Sequence, residues 1–349
     1  MTVTVHHGDS REVLKGFADA SIDSCVTDPP YALVSISKRF AKGNNRIPPT
    51  KNHQYQRLSK GFMGQQWDTG ETAFAVEFWA EVFRVMKPGA HLIAFSGTRT
   101  YHRLVCAIED AGFEIRDQIG WLFGSGFPKS HSQAGEWEGW GSALKPAWEP
   151  ICLARKPMIG TIAANLDKHG TGALSIDACR IASTDGQLAA KYASVQSAGP
   201  RENNVYGVGR RRDRSRSTPH AGGRWPANVI HDGSGESEAA FPDGAARFFY
   251  SAKADAADRC GSRHPTVKPT DLMAYLCRLV TRPGGAVLDP FAGSGSTGMA
   301  CLREGFDCVL IEREAQYVAD IHKRLAHVEG ADTPLFSNDA AQGLFGDVA

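Results

Sequence analysis

The sequence predicts an α/β protein in which helices cover both faces of a central sheet, a three-layer α/β/α architecture. Short β-type segments alternate with amphipathic helical segments near both ends of the chain, which is the order typical of such sheets. Two predicted strands stop at an acid followed by proline, in DPPY (28–31) and in DPF (289–291). Ligands of open α/β sheets bind outside the carboxyl ends of the strands, so both motifs are candidate functional sites.

Length and composition limit the class of protein. At roughly 150 residues per domain, a chain of 349 residues predicts about two domains, and 42% apolar with 22% charged residues is ordinary for a globular protein. The net charge of +1 restricts any nucleic-acid site to a local patch. Without a membrane-length apolar run or a leader segment, we expect a cytoplasmic protein. The eight scattered cysteines have no C-x-x-C pair, which predicts reduced thiols and no metal.

The first half of the chain begins with a predicted strand–helix–strand unit. A strand, TVTVHH, leads to the helical segment SREVLKGF, for which Ser10 is the expected N-cap, and the second strand, SIDSCVT, ends at DPPY. The next helix, FAVEFWAEVFRVMKPG, is expected to close at Pro88–Gly89, and the strand AHLIAFSG follows. A helix (YHRLVCAIEDAGF) and two strands (EIRDQIGWLF and EPICLAR) complete this half.

The last third of the chain returns to the same alternation. After HPTVKP, a helix is expected from the N-cap Thr270 to about Val280. AVLD then predicts a strand, GSGSTG a glycine loop, and the following residues a helix. DCVLIE and AQYVADIHKRLAHV predict a final strand and helix, and the segment from Glu329 onward is acidic.

Two intervening segments are basic. No acid occurs between Asp28 and Asp68, and the stretch Gly199–Trp225 carries seven arginines against two acids. A solvated linker is one interpretation of such charge. Contact with phosphates is the interpretation we favour, because both segments are basic.

The glycine loop from Gly293 to Gly298 matches G-x-G-x-x-G, and Glu312 follows about twenty residues later. That is the pattern of a dinucleotide site, in which glycines admit the ligand to the backbone and the acid binds ribose hydroxyls. Asp289 before the loop suits a ligand with a cationic amino-acid end, such as S-adenosylmethionine, better than a pyrophosphate. The loop alone therefore leaves NAD and S-adenosylmethionine as alternatives.

The motifs DPPY, HPTVKP and DPFAGSGSTG occur in that order. In this order the chain resembles the amino-methylating DNA methyltransferases of the β group, in which the catalytic motif precedes the target-recognition region and the cofactor loop comes last. The resemblance covers most of residues 1–155 and 246–325, and GRWPANVIHDGS and ARFFYSAKA are similar to solitary and phage-type members. It implies a Rossmann-like, class I S-adenosylmethionine-dependent methyltransferase fold, circularly ordered, with an inserted recognition region.

The resemblance also implies domains and site residues. The domains are a catalytic half (1–156), a recognition insertion (157–245), a cofactor half (246–328) and an acidic tail (329–349). The implied catalytic residues are Asp28, Pro29, Pro30 and Tyr31. The implied cofactor contacts are Asp9, His264, Thr266, Lys268, Asp289, Pro290, Phe291, Gly293, Ser294, Gly295 and Glu312. The implied DNA contacts are Lys38, Arg39, Lys42, Arg46, Arg210, Arg211, Arg212, Arg214 and Arg216.

Some of these cofactor residues have structural alternatives. Asp9 could be a turn acid, Glu312 a solvated strand end, and HPTVKP a loop that caps the helix after it.

The implied reaction is site-specific methylation of the N6 amine of an adenine flipped out of double-stranded DNA. The Asp28 carboxylate and the Pro29 carbonyl would accept the two amine N–H groups and localise the lone pair on nitrogen, while Tyr31 offers a face for stacking. S-adenosylmethionine is the expected cofactor and double-stranded DNA the expected partner. The resemblance leaves open a cognate restriction endonuclease and a homodimer, and no membrane partner is expected.

Rival functions stay open at this point. Cytosine-N4 methylation needs the same chemistry, although in the family it usually goes with serine in place of Asp28. Methylation of RNA or of a protein amide, and a DNA-binding protein without catalysis, are further alternatives. An NAD dehydrogenase would need a hydride-transfer pocket, which nothing in the sequence nominates.

Overall fold

The computed structural model describes residues 1–31, 71–126, 130–183, 220–252, 256–262, 264 and 266–329. These ranges contain one sheet of nine strands, whose order across the sheet is β1-β9-β8-β2-β3-β5-β4-β6-β7. The strands are β1 (Val3–His7), β2 (Ile22–Thr27), β3 (Met86–Phe95), β4 (Glu114–Leu122), β5 (Trp148–Arg155), β6 (Val229–His231), β7 (Tyr250–Ser251), β8 (Ala286–Asp289) and β9 (Asp307–Glu312).

Helices cover both faces of this sheet. In the described ranges they are α1 (Ser10–Val13), α2 (Val76–Val85), α3 (Tyr101–Asp110), α4 (Ile162–His169), α5 (Gly235–Ala239), α6 (Thr270–Val280), α7 (Ser296–Glu304) and α8 (Ala315–Glu329). One apolar core packs α6, α7 and α8 against the sheet, and a second packs α2 and α3 against the opposite face. The three-layer α/β/α architecture predicted from the sequence is confirmed.

Helix α6 is buried on nearly all sides. Leu272, Met273, Tyr275 and Leu276 are at most 2% exposed, and the helix packs against the sheet and alongside α7. A helix that is apolar all round is stable only where other elements enclose it. Its first turn consequently anchors the preceding HPTVKP segment at the edge of the sheet.

The order of the strands creates a switch point between β8 and β2. Strands β1, β9, β8, β2 and β3 are parallel, and the chain leaves β8 toward β9 but leaves β2 toward β3. Their carboxyl ends meet at one edge of the sheet. The acids that follow or end four of these strands, and so share this edge, are Asp9, Asp28, Asp289 and Glu312.

Strand β5 runs antiparallel to both of its neighbours, β3 and β4. Its first residues, Trp148 and Glu149, therefore lie at the edge where the parallel strands end. Trp148 is paired with Leu122 at the end of β4, and Ile151 with Phe95 at the end of β3. Glu149, at the start of β5, therefore lies at the same edge of the sheet as the acids at the carboxyl ends of the parallel strands.

Three local predictions were wrong. Helix α2 ends at Val85, and Pro88–Gly89 lies inside β3, where the Gly89 N–H donates to the Lys156 carbonyl. Asp9, not Ser10, caps α1, because its side chain accepts the Arg11 N–H. Pro269, not Thr270, occupies the N-cap of α6. Thr270 is the first residue of the helix, and its N–H donates to the Asp258 carboxylate.

Strand β6 lies within the predicted recognition insertion (157–245), yet it pairs in parallel with β4 and so extends the same sheet. Beyond Glu329, the predicted acidic tail lies outside the described residues. The predicted domain boundaries at 156, 245 and 328 stay predictions.

Candidate active site

A cavity of about 1050 Å³ opens at the carboxyl edge of the sheet. The predicted residues that line it are Asp9, Asp28, Pro29, Pro30, Tyr31, His264, Thr266, Lys268, Asp289, Pro290, Phe291, Gly293, Ser294 and Glu312. The lining continues past Tyr31 to Phe123, Ser125, Leu144 and Trp148 at the β4–β5 connection. The two strand-ending motifs, which are more than 250 residues apart in the chain, thus face one chamber.

The two carboxylate oxygens of Asp28 have different environments. Oδ2 lies 3.1 Å from the ammonium of Lys268. Oδ1 is buried and has no hydrogen-bond partner among the described residues. A buried carboxylate oxygen without a donor is costly, so this atom is poised to accept a hydrogen bond from a ligand.

Lys268 connects the DPPY motif to strand β5. Its ammonium donates to the Tyr31 hydroxyl and to Oε2 of Glu149, each at 2.9 Å, and the Tyr31 hydroxyl itself donates to Glu149 at 3.1 Å. Burial alone would lower the pKa of Lys268, but Asp28 and Glu149 outweigh it, so this pKa is raised. Lys268, predicted as a cofactor contact, thus touches the predicted catalytic carboxylate.

Tyr31 is held at both ends. Its hydroxyl belongs to the network of Lys268 and Glu149, and its carbonyl accepts a hydrogen bond of 2.9 Å from Thr100 Oγ1. Burial raises the pKa of the phenol well above its usual value, so Tyr31 stays neutral and acts through its ring and hydroxyl.

The glycine loop is shaped for close approach. Gly293 has φ +51°, and a Cβ there would lie 3.1 Å from the His264 ring. Gly295 has φ +77° and does not line the cavity. A Cβ at this position would lie 3.0 Å from the side chain of Ile321 in α8. The buried Arg324 donates to the Ser294 carbonyl, which fixes the loop from below.

Asp289 bonds β2 to the glycine loop. Its carboxylate accepts hydrogen bonds from Thr27 Oγ1 at 2.6 Å, Thr297 Oγ1 at 2.5 Å and the Phe291 N–H at 3.1 Å. Burial raises its pKa to about 6. Internal donors therefore occupy much of its hydrogen-bonding capacity, and its predicted contact with a cationic ligand stays a prediction.

Glu312 closes the opposite side of the loop. Oε2 accepts the Gly293 N–H at 2.8 Å and Oε1 accepts the Glu314 N–H at 2.7 Å, so the carboxylate is fixed at the end of β9. Each carboxylate oxygen can accept a further hydrogen bond, as ribose hydroxyls would require. Burial raises the pKa of Glu312 to about 7.

That raised pKa predicts a pH-dependent stability. The folded chain holds the Glu312 proton up to about pH 7 whereas the unfolded chain releases it near 4.5, so stability present below pH 4.5 is lost as the pH rises through 7. The loss should be about 3 kcal/mol for this group. We expect the difference in unfolding free energy between wild type and Glu312→Gln, measured by urea unfolding without cofactor, to change by that amount across this window. A constant difference would contradict the assignment.

Asp9 and His264 occupy the remaining sides of the loop. The side-chain hydrogen bond with Arg11 lowers the pKa of Asp9. His264 is buried, which lowers its pKa, and its Nδ1 lies 2.7 Å from the Thr266 carbonyl oxygen. The His264 ring packs edge-on against Tyr317, with the ring centroids 4.5 Å apart. Residues of HPTVKP line the cavity, and the segment leads into α6; its predicted contact with the cofactor stays a prediction.

The predicted DNA contacts lie outside the described residues; they are Lys38, Arg39, Lys42, Arg46, Arg210, Arg211, Arg212, Arg214 and Arg216. Sequence reasoning missed Glu149 and the buried supports Thr27, Thr297 and Arg324. In the described part of the chain, no cluster of His, Cys, Asp or Glu could hold a metal. No described helix has the length and apolarity needed to cross a membrane.

Comparisons with known proteins bear on the family and the fold of the chain. Residues 22–323 match the N6/N4 methyltransferase family, described as DNA methylase. The Type II methyltransferase M.HindIII of Haemophilus influenzae is 24% identical over 331 residues, which cover 85% of this chain and 86% of that protein. The structure of PvuII DNA methyltransferase (cytosine-N4-specific) has a TM-score of 0.51 at 15% identity and covers 97% of this chain and 88% of that chain, a likeness of fold.

The predicted fold class and family are confirmed. The family match covers far more than half of the chain, so the protein belongs to the N6/N4 DNA methylase family, whose members use S-adenosylmethionine to methylate amino groups of DNA bases.

Proposed function

We propose that the chain methylates the N6 amine of an adenine extruded from double-stranded DNA, with Asp28 as the principal catalytic residue. The observation that carries the proposal is the buried, unpartnered Oδ1 of Asp28, a residue that lines the cavity. An amine N–H would supply the donor that this oxygen lacks.

The chemistry explains why such an acceptor is needed. The lone pair of an exocyclic amine is delocalised into the base, which makes the nitrogen a poor nucleophile. Asp28 Oδ1 and the Pro29 carbonyl would accept its two N–H groups and localise the lone pair on nitrogen. As the nitrogen bonded to the methyl carbon, the carbon–sulfur bond of the cofactor would break and leave its electron pair on sulfur. The nitrogen would gain positive charge, which the Asp28 carboxylate would stabilise until one proton leaves to solvent.

Residues at the other end of the cavity fit the cofactor. S-adenosylmethionine, when bound, supplies an electrophilic methyl group on a positively charged sulfur. Glu312 would accept the ribose hydroxyls, Asp289 would face the cationic amino-acid end, and Phe291 would contact the adenine ring. Gly293 lines the cavity with φ +51° and has no side chain, so a ligand can approach its backbone closely.

The target base needs room beyond Asp28. A base inside a duplex cannot reach a cavity at the edge of a sheet, so it must be extruded, at a cost of a few kcal/mol. The part of the cavity lined by Tyr31, Phe123 and Trp148 is aromatic and suits a stacked base. Contacts from the basic segments to phosphates, including Lys38, Arg39 and the arginines at 210–216, would offset the cost.

The choice of adenine rests on Asp28. Cytosine-N4 enzymes of this family usually carry serine at that position, whereas a carboxylate is typical of adenine enzymes. The likeness to the cytosine-N4-specific PvuII enzyme concerns the fold alone and does not bear on the base.

The test is to express wild type and Asp28→Ala in a methylation-deficient bacterial host and to measure methylated nucleosides in the total DNA by mass spectrometry. We expect N6-methyladenine with wild type and none above background with Asp28→Ala. N4-methylcytosine instead would keep the mechanism and overturn the base. Neither nucleoside, from folded protein that binds S-adenosylmethionine, would refute the proposal. The restriction endonuclease partner, the homodimer and the cytoplasmic location stay predictions.

A further inference from the structure

Asp28 belongs to a buried cluster of three charges, and the methylation chemistry described above does not use the other two, Lys268 and Glu149. The Lys268 ammonium lies 3.1 Å from Asp28 Oδ2 and 2.9 Å from Glu149 Oε2. Two carboxylates therefore share one cation, and the cluster carries a net charge of −1. Such an arrangement is expensive to bury, so its presence in the catalytic chamber calls for a chemical reason.

The position of Lys268 is rigid. Only 7% of the residue is exposed, and its ammonium lies 4.8 Å from the Phe95 ring centroid and 5.9 Å from that of Trp121. Its carbonyl accepts a 2.9 Å hydrogen bond from Ser296 Oγ at the start of α7. The cation is consequently fixed both by its backbone and by the rings around its head group.

We propose that Lys268 and Glu149 are positioning residues for methyl transfer: Lys268 holds Asp28 through Oδ2 so that Oδ1 faces the target amine, and Glu149 balances the charge of Lys268. The proposal deepens the function proposed above, because it rests on Asp28 as the acceptor of the amine. It moves Lys268 from the cofactor end of the cavity to the catalytic end and adds Glu149 to the site.

The charge balance explains why two carboxylates are present. A single ammonium facing Asp28 alone would neutralise it and weaken both its hydrogen bond to the amine and its stabilisation of positive charge on nitrogen. Glu149 competes for the same ammonium, so Asp28 keeps much of its negative charge for the substrate. Without Lys268, two close carboxylates would repel each other, and a proton would become the favoured counter-charge.

The test measures kcat, KM and the pH dependence of kcat with duplex DNA for wild type, Lys268→Met and Glu149→Gln. Glu149→Gln keeps the size of the side chain, Lys268→Met shortens it by one atom, and each substitution removes one charge. Lys156→Met is the matched control, since Lys156 is another partly buried lysine, with donations of 2.7 Å to the Phe83 and Met86 carbonyls but no contact with the cavity. Thermal unfolding and S-adenosylmethionine binding are measured for every variant.

We expect kcat to fall about 100-fold in Lys268→Met and about 10-fold in Glu149→Gln, with KM for the cofactor changed less than about threefold. The acidic limb of the kcat profile should move in opposite directions, up by about one pH unit in Lys268→Met and down by about one unit in Glu149→Gln. Lys156→Met should lose stability without a shift of this limb. Beyond its own members, Asp28, Glu149 and Lys268, the titratable groups that face the cluster are Tyr31, His264 and Asp289.

Two results would overturn the proposal. One is a loss of activity in both variants with no shift of the acidic limb, which a merely structural role predicts. The other is a loss confined to cofactor affinity, which would return Lys268 to the cofactor site. Asp28→Asn, measured in parallel, separates this failure from that of the proposed function: activity retained in Asp28→Asn would refute the role of Asp28 itself.

Discussion

Replacing Asp28 by asparagine is expected to lower the rate constant of methyl transfer about 10²- to 10³-fold while S-adenosylmethionine still binds. The amide keeps the size of the side chain, but it removes the negative charge that would face the target amine. It also places an NH₂ group beside Lys268 or beside the substrate, where only an acceptor is useful. The measurement is single-turnover methylation of duplex DNA, together with calorimetric titration of the cofactor.

Asp19→Asn is the matched control for this prediction. Asp19 also pairs with a cation, Arg84 at 2.6 Å, but its side chain is 77% exposed and lies away from the cavity. We expect wild-type rates from this variant. If Asp28→Asn methylated DNA as fast as Asp19→Asn, Asp28 would have no role in the chemistry.

Replacing Gly293 by valine is expected to weaken S-adenosylmethionine binding by about 100-fold or more, which is about 2.7 kcal/mol of binding free energy. The residue has φ +51°, a conformation unfavourable for a β-branched side chain, and its Cβ would stand 3.1 Å from the His264 ring. The new methyl groups would also occupy the cavity where the backbone is otherwise open to the ligand. The dissociation constant can be measured by calorimetry.

Gly305→Val separates the two causes. Gly305, the C-cap of α7, has φ +80° but nothing within 4 Å of its virtual Cβ, and it does not line the cavity. This variant should lose stability through backbone strain and bind the cofactor as wild type does. Equal cofactor affinity in the two variants would show that Gly293 has no special place in the site.

Much of the fold and of the site could be predicted because the information is local. Alternating segments define strands and helices, and a strand that meets Pro29 or Pro290 must stop there. The carboxyl ends of parallel strands share one edge of a sheet, so strands that end at DPPY and at the glycine loop bring the two motifs to the same edge, where both line the cavity.

Local signals failed where tertiary contacts outweighed them. Pro88–Gly89 is typical of a helix end, yet β3 begins at Met86 and includes both residues. The Gly89 N–H is satisfied by the segment after β5, and Asn165 of α4 donates to the Pro88 carbonyl. These partners are more than 65 residues away, so no local pattern could have indicated them.

The sequence by itself determined the layered α/β architecture, the family and the motif residues, because each depends on short segments with strong conformational or chemical preferences. Only the tertiary structure decided that Glu149 and Lys268 meet at Asp28. Glu149 reaches that edge because β5 runs antiparallel to its neighbours, and the direction of a strand is not written in its own residues. Lys268 reaches it because α6, which follows it directly, packs against the sheet and alongside α7. The charge environment of the catalytic carboxylate is therefore a property of the assembled sheet.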